Sequence, residues 1–371
     1  MNIKPYVSYV PMWFNKSLTI SSITTNTKKL LLLQVEITIM DIKNNKVAVI
    51  GSGSWATALA KMLLENVPHI NWYFRKPETI EYFEENGRNP RYLQNVEFDT
   101  KRISFYSDID KITEESDILV LAIPSAYLPA VLGDTKTDLS KKYILSGIKG
   151  IVSEENLLIV QYLNKHFNVP LENMGVIAGP CHAEEVALKR LSYLTIASLD
   201  EENAKGFASL IQCNYIKTTI SDDIWGTEYA SVLKNIVAIA SGICHGLRYG
   251  DNFHAVLISN AIQEIKRFVD TVHPITRDIK SSAYLGDLLV TAYSQFSRNR
   301  TFGTMIGKGY PVKAARLELN MIAEGYYSSK CIFEINKNHN VDMPIAEAVY
   351  NILYENKTPK KEIDLLTEKL S

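Results

Sequence analysis

The chain has 371 residues, 46% of them hydrophobic and 22% charged, which is enough apolar material for two packed domains and too much for a disordered chain. Lys and Arg number 40 against 41 Asp and Glu, so no overall positive charge draws it to nucleic acid or an anionic membrane, and an anionic ligand needs a local basic pocket. Cys181, Cys213, Cys244 and Cys331 lie far apart without metal-ligand spacing, which points to a reducing compartment and no bound metal.

Residues 1–45 differ in character from the rest of the chain. Ser, Thr, Asn and Lys surround scattered Val, Leu and Ile, with neither a signal-peptide cleavage pattern nor arginine-rich transit character. The expectation is a poorly ordered, dispensable leader, with Met40, just before the first strand, standing beside Met1 as a candidate start. Its apolar run at 30–35 falls far short of the roughly twenty residues a membrane span takes, so no stable membrane insertion is expected.

Residues 46–50, KVAVI, read as a buried parallel strand running straight into GSGSWATALAKMLLEN. Gly51, Gly53 and Ala56 fit GxGxxA between a strand and an amphipathic helix. There the first glycine permits the tight turn, the second lets backbone approach a pyrophosphate, and the alanine allows close packing of helix on strand. The helix N-terminus supplies oriented N–H donors for the phosphates. A second strand at 70–74 ends in Phe74, Arg75 and Lys76, where an acid would normally meet the adenosine ribose; a basic tip suits a 2′-phosphate, so the cofactor is read as NAD or NADP.

Further strands at 118–123, 143–146, 174–177 and 194–197 alternate with segments long enough for helices. The class predicted is α/β: a Rossmann-like, doubly wound parallel sheet over residues 46–223, followed by an all-α domain over residues 224–371. Ligands of such sheets sit beyond the carboxyl ends of the strands, where the loops Pro124-Ser125, Lys149-Gly150 and Gly179-Pro180-Cys181 fall.

Residues 229–244, YASVLKNIVAIASGIC, have a helical apolar period and a single charge, Lys234. The side opposite the apolar stripe carries Ser231, Asn235, Ala238, Ser241 and Gly242, small or neutral residues that let other elements pack close. A lysine removed from water is a candidate general base, because burial favours its neutral form. Residues 281–297, SSAYLGDLLVTAYSQFS, repeat the pattern in opposite sign with Asp287 alone. A lone buried acid and a lone buried lysine each need a partner, so the two are expected to face each other. Ser297, Arg298, Asn299 and Arg300 then form a basic turn suited to a phosphate.

Taken in order, GSGSWATALA, NPRYL, IKG, AGPCHAEE, LKNIVAIASG, GDN, GDL, SRNRTFG, IAEG and MPI resemble the NAD(P)-dependent glycerol-3-phosphate dehydrogenases of the bacterial biosynthetic type, over nearly everything from Lys46 onward. The resemblance implies a cytoplasmic homodimer that interconverts sn-glycerol 3-phosphate and dihydroxyacetone phosphate and so supplies phospholipid synthesis. It implies Lys234 as proton acceptor, with Lys149, Gly179, Cys181, Asn235, Asp287, Ser297, Arg298 and Asn299 on the substrate. It also implies Ser54, Trp55, Arg75, Lys149, Ala183, Arg298, Ile322 and Glu324 on the dinucleotide, beside Gly51 and Gly53. The chain departs from the family in having Cys181 where Ser or Thr is common and Ile322 where valine is frequent. Two rival readings are a related dehydrogenase of β-hydroxy acids or ketopantoate, and a dinucleotide sensor without catalysis, which would have no use for a proton acceptor.

Overall fold

The computed structural model describes residues 45–133, 135–319 and 323–371. All but the last residue of the expected leader lies outside them, as does Ile322. One sheet of eight strands runs in the order β3-β2-β1-β4-β5-β6-β7-β8. The strands are β1 (Val47–Ile50), β2 (Ile70–Tyr73), β3 (Ile103–Tyr106), β4 (Ile118–Leu121), β5 (Tyr143–Ser146), β6 (Met174–Ala178), β7 (Ser192–Ala197) and β8 (Ile216–Ser221). The central strands are continuous apolar runs because both faces are covered. Val47 and Val49 join one core with Ala56, Leu59 and Leu63 of helix α1 (Ser54–Asn66), while Ala48 and Ile50 join the other, which is continuous with the core of the helical half.

From β3 to β6 the neighbours are parallel, but β7 runs antiparallel to β6, with Ile177 opposite Ile196. The expected doubly wound parallel sheet is present, and β7 is the one strand whose pairing with β6 departs from it. The β6–β7 connection contains only the helix Ala183–Ala187, about 7 Å long at roughly 1.5 Å per residue, too short to carry the chain back along the sheet for a parallel return. The longer helix Glu201–Ile211 then makes that return, and β8 pairs parallel to β7.

Beyond β8 the described chain is helical. Helix α2 (Ile224–Gly246) is buried from Gly226 through Cys244 on every side. Around it lie α3 (Asp251–Val272), α4 (Asp287–Tyr293), α5 (Arg298–Gly307) and α6 (Glu324–Asn336). α2 and α5 touch backbone to backbone through glycines: a Cβ on Gly242 would stand 2.1 Å from the Arg300 carbonyl oxygen, and one on Gly303 2.1 Å from that of Ile239. Among the described residues no helix is long and apolar enough to cross a membrane, and no group of three or more His, Cys, Asp or Glu could hold a metal ion.

Candidate active site

The nucleotide end is built by the β1–α1 turn. Gly51 has φ 133°, and a Cβ there would stand 2.3 Å from the Ala122 carbonyl oxygen, so only glycine makes this turn beside β4. Gly53 caps α1 without a side chain, and nothing lies within 4 Å of where its Cβ would be. An open cradle therefore faces the uncapped start of a helix, the arrangement that receives a pyrophosphate. Asn89 fixes the loop: its amide donates to the Ser52 carbonyl (3.0 Å) and to Thr57 Oγ1 (2.9 Å). A cavity of about 790 Å³ opens here, lined among others by Gly51, Gly53, Ser54, Trp55 and Arg75, within the range of cofactor and ligand sites.

At the other end of the cavity, elements distant in sequence bring three charges together. Lys234 Nζ lies 2.9 Å from Asp287 Oδ1 and donates to Thr291 Oγ1 at 2.7 Å. Lys149, just past β5, pairs through its Nζ with Asp287 Oδ2 at 3.1 Å, and its ammonium stands 5.9 Å from the centre of the Trp55 ring. Asp287 is 1% exposed, Lys234 5%. Burial pulls the Lys234 ammonium down to about 8; the Asp287 carboxylate resists that fall and the Lys149 ammonium adds to it. Burial alone would raise Asp287, but the two ammoniums outweigh it and hold the carboxyl below its usual range. The result is an ionised acid between two lysines, one of which can change its proton near neutral pH.

The remaining expected residues divide between the cavity wall and its supports. Cys181, Ala183, Asn235, Ser297, Arg298, Asn299 and Glu324 line the cavity. Gly179 is not among the lining residues; its N–H donates to Asp287 Oδ2 at 3.2 Å and so supports the carboxylate. Asn235 Nδ2 donates to the Lys149 carbonyl (2.8 Å), tying the lysine loop to α2. Ser297 caps α5 through its Oγ, and Asn299 Oδ1 accepts the Gly325 N–H at 2.9 Å. Both carboxylate oxygens of Glu324 are engaged by Ser125, from its N–H (2.9 Å) and its hydroxyl (2.6 Å). Burial pushes the Cys181 thiol up to about 12, so it stays protonated.

Two residues here escaped the sequence reading. Thr291 stands four residues after Asp287 on the same face of α4, and that helical spacing is the signal that could have found it. His182 lines the cavity, with a buried Nε2 that has no hydrogen-bond partner; burial, then the ammoniums of Lys234 and Lys149, push it down to about 4, so the ring is neutral. No spacing in the sequence marks it.

Residues 46–204 match the family model for the NAD-dependent glycerol-3-phosphate dehydrogenase N-terminus, and residues 223–364 match the model for its C-terminus. The chain is 33% identical over 330 residues to a glycerol-3-phosphate dehydrogenase (NAD(P)+) of Clostridium botulinum, covering 88% of this chain and 99% of that one. It is 34% identical over 322 residues to the protein of the same name from Oceanobacillus iheyensis, covering 86% and 93%. The crystal structure of glycerol-3-phosphate dehydrogenase from Coxiella burnetii superposes with a TM-score of 0.80 at 28% identity, over 87% of this chain and 99% of that one. With its cradle, its cavity and its buried Lys234–Asp287 pair, the chain belongs to the NAD(P)-dependent glycerol-3-phosphate dehydrogenase family.

Proposed function

We propose that this enzyme interconverts sn-glycerol 3-phosphate and dihydroxyacetone phosphate with NAD or NADP, and that Lys234 is its proton acceptor and donor. The observation that carries the reading is the buried Lys234–Asp287 contact of 2.9 Å on the wall of a cavity whose other end is a dinucleotide cradle. The open position at Gly53, the uncapped start of α1 and the partnerless indole N–H of Trp55 fit a dinucleotide, held by Ser54, Trp55, Arg75, Ala183, Glu324 and the start of α1, with Ile322 and Arg298 assigned beside them by the family pattern. When bound, the nicotinamide supplies or takes the hydride.

In oxidation, neutral Lys234 accepts the proton of the C2 hydroxyl; in reduction, its ammonium returns a proton to the C2 oxygen. With its titration drawn to about 8, both forms are populated near neutral pH. Asp287 holds the ammonium in place, with Gly179 and Thr291 as its supports. Lys149 offsets negative charge on the substrate as the oxygen develops it. Arg298, Asn299 and Ser297 at the start of α5 grip the phosphate and so fix C2 by position, with Cys181 and Asn235 completing the wall. The supply of glycerol 3-phosphate to phospholipid synthesis, the cytoplasmic setting and the homodimer are carried over from the biosynthetic type the sequence resembles; sedimentation of the purified chain tests the dimer.

An absorbance assay of NAD(P)H oxidation tests the substrate. Turnover with dihydroxyacetone phosphate and none with ketopantoate or β-keto acids supports the reading; the reverse order overturns it.

A further inference from the structure

The two halves of the reactive pair arrive on different elements, Lys234 on α2 and Asp287 on α4, immediately after a π-helical turn at Ser282–Gly286. Both elements lead back to one carboxylate. Asp223 Oδ1 accepts the Gly226 N–H at 3.0 Å and caps α2. Asp223 Oδ2 accepts the hydroxyl of Tyr284, which sits inside the π turn three residues before Asp287. Arg277, from the loop between α3 and that turn, grips the same carboxylate with Nε to Oδ2 at 2.7 Å and a second nitrogen to Oδ1 at 3.3 Å. Arg277 also pairs with Asp270 and donates to the His273 carbonyl at 2.8 Å, and His273 Nδ1 lies 3.6 Å from Asp223 Oδ1.

Capping α2 needs none of this. Asp108 caps the helix Ile109–Glu114 from an exposed position with two backbone donors alone. Asp223 is 3% exposed and the Arg277 side chain 2%, and a buried ion pair is costly unless its geometry is complete. Gly226 belongs to the same arrangement, since a Cβ there would stand 2.2 Å from Asp223 Oδ2. A π turn is a rare, wide turn that recurs at functional sites, and this one has the Tyr284 hydroxyl anchored to the start of the helix that carries Lys234. Helix α2 runs unbroken from its cap at Asp223 past Lys234 and is buried from Gly226 to the lysine, so an anchor at its start sets where the lysine stands relative to whatever else that anchor holds.

We propose that Asp223, through Tyr284 and Arg277, is a positioning residue for the reaction: it locks the start of the Lys234 helix to the turn that delivers Asp287 and thereby sets the distance between the two side chains. This rests on the reading of Lys234 as the proton acceptor. Tyr284 and Arg277 are not among the residues that line the cavity; they act through Asp223.

The test is Tyr284→Phe in the full chain, which keeps the buried ring and removes one hydroxyl. Misplacement of a reacting group by a fraction of an ångström predicts kcat down by about tenfold, with KM for dihydroxyacetone phosphate and the NAD(P)H dissociation constant within about twofold. The kinetic pKa assigned to Lys234 moves down as Asp287 holds its ammonium less closely. Asp223→Asn, which still caps α2, gives the same direction, and the double variant is no slower than the slower single one, because both break one linkage. If Tyr284→Phe does not fold, Arg277→Lys, which keeps the cation and loses the fork, reads the same quantities. A lower Tm with unchanged kcat and unchanged pH profile makes the network purely structural and overturns the proposal. Full turnover in Lys234→Ala instead defeats the proton-acceptor reading, an outcome separate from the first.

Discussion

Asp287→Asn isolates what the carboxylate does for Lys234. The side chain keeps its shape and can still accept a hydrogen bond, but loses the charge that sits 2.9 Å from one ammonium and 3.1 Å from another. At an effective dielectric of about 20, the contact with Lys234 is worth roughly 6 kcal/mol. The amide returns about 1–2 kcal/mol as a hydrogen bond, and relaxation with entering water takes up a similar amount, leaving roughly 3 kcal/mol. That is about two pKa units at roughly 1.36 kcal/mol per unit. The sign is downward, because the carboxylate favours the charged lysine and the Lys149 ammonium, now unopposed, disfavours it. Starting from about 8, the Lys234 ammonium is nine-tenths formed at about pH 7 in the natural enzyme; two units lower it is roughly one-tenth formed. Ketone reduction needs that ammonium, so kcat/KM for dihydroxyacetone phosphate at neutral pH should fall about tenfold from protonation alone, while the rising limb for glycerol 3-phosphate oxidation moves to lower pH. The assay is the pH profile of kcat/KM in both directions. A kinetic pKa that is unchanged or raised in Asp287→Asn refutes the coupling.

Glu228, buried on α2, accepts the N–H of Ile159 (2.9 Å) at the start of a helix on the sheet, and burial pushes its carboxyl up to about 8. Between a carboxyl's ordinary value and about 8 the folded chain therefore holds a proton that the unfolded chain lacks, and stability falls as pH rises through that window. Glu228→Gln keeps the acceptor and removes the titration: calorimetry should show a flatter Tm against pH and a gain of about 5 °C above pH 8, whereas parallel curves would refute the assignment. Gly303→Ala drives a methyl to 2.1 Å from the Ile239 carbonyl and 3.0 Å from the Ile243 nitrogen, where only helix backbone could yield. Urea unfolding should show a loss of about 3 kcal/mol, with a raised KM because α5 also carries Arg298 and Asn299; unchanged stability would show that the two helices are not in contact there.

How legible each element is in the sequence depends on how it is buried. Strands β1 and β4 are buried throughout and appear as uninterrupted apolar runs, β2, β5 and β6 are buried and largely apolar with Asn71 the one polar side chain inside β2, and Gly51 after β1 marks a turn no other residue makes. Lys234 and Asp287 stood out because each is the only charge in an apolar helical stretch, and in the structure they meet. Edge strands β3 and β8 gave no such signal: Ser104 and the run Lys217-Thr218-Thr219 face partly to water, so their sequences read as loop. The reversal of β7 depends on how short the helix before it is, and the grip of Arg277 and Tyr284 on Asp223 joins residues 54 and 61 positions away, which no local pattern records. Gly179 matched the family pattern as a substrate residue, and in the structure its amide donates to Asp287.

The most direct test is the rate of hydride transfer in a single turnover, with Lys234→Ala saturated by NAD(P)H and dihydroxyacetone phosphate. Loss of the general acid predicts a fall of about 10³-fold, with the NAD(P)H dissociation constant within a few-fold of the natural enzyme, since the cradle at Gly51 and Gly53 is untouched. Hydride transfer at the natural rate in this variant would contradict the account, whatever the fold and the cofactor site retain.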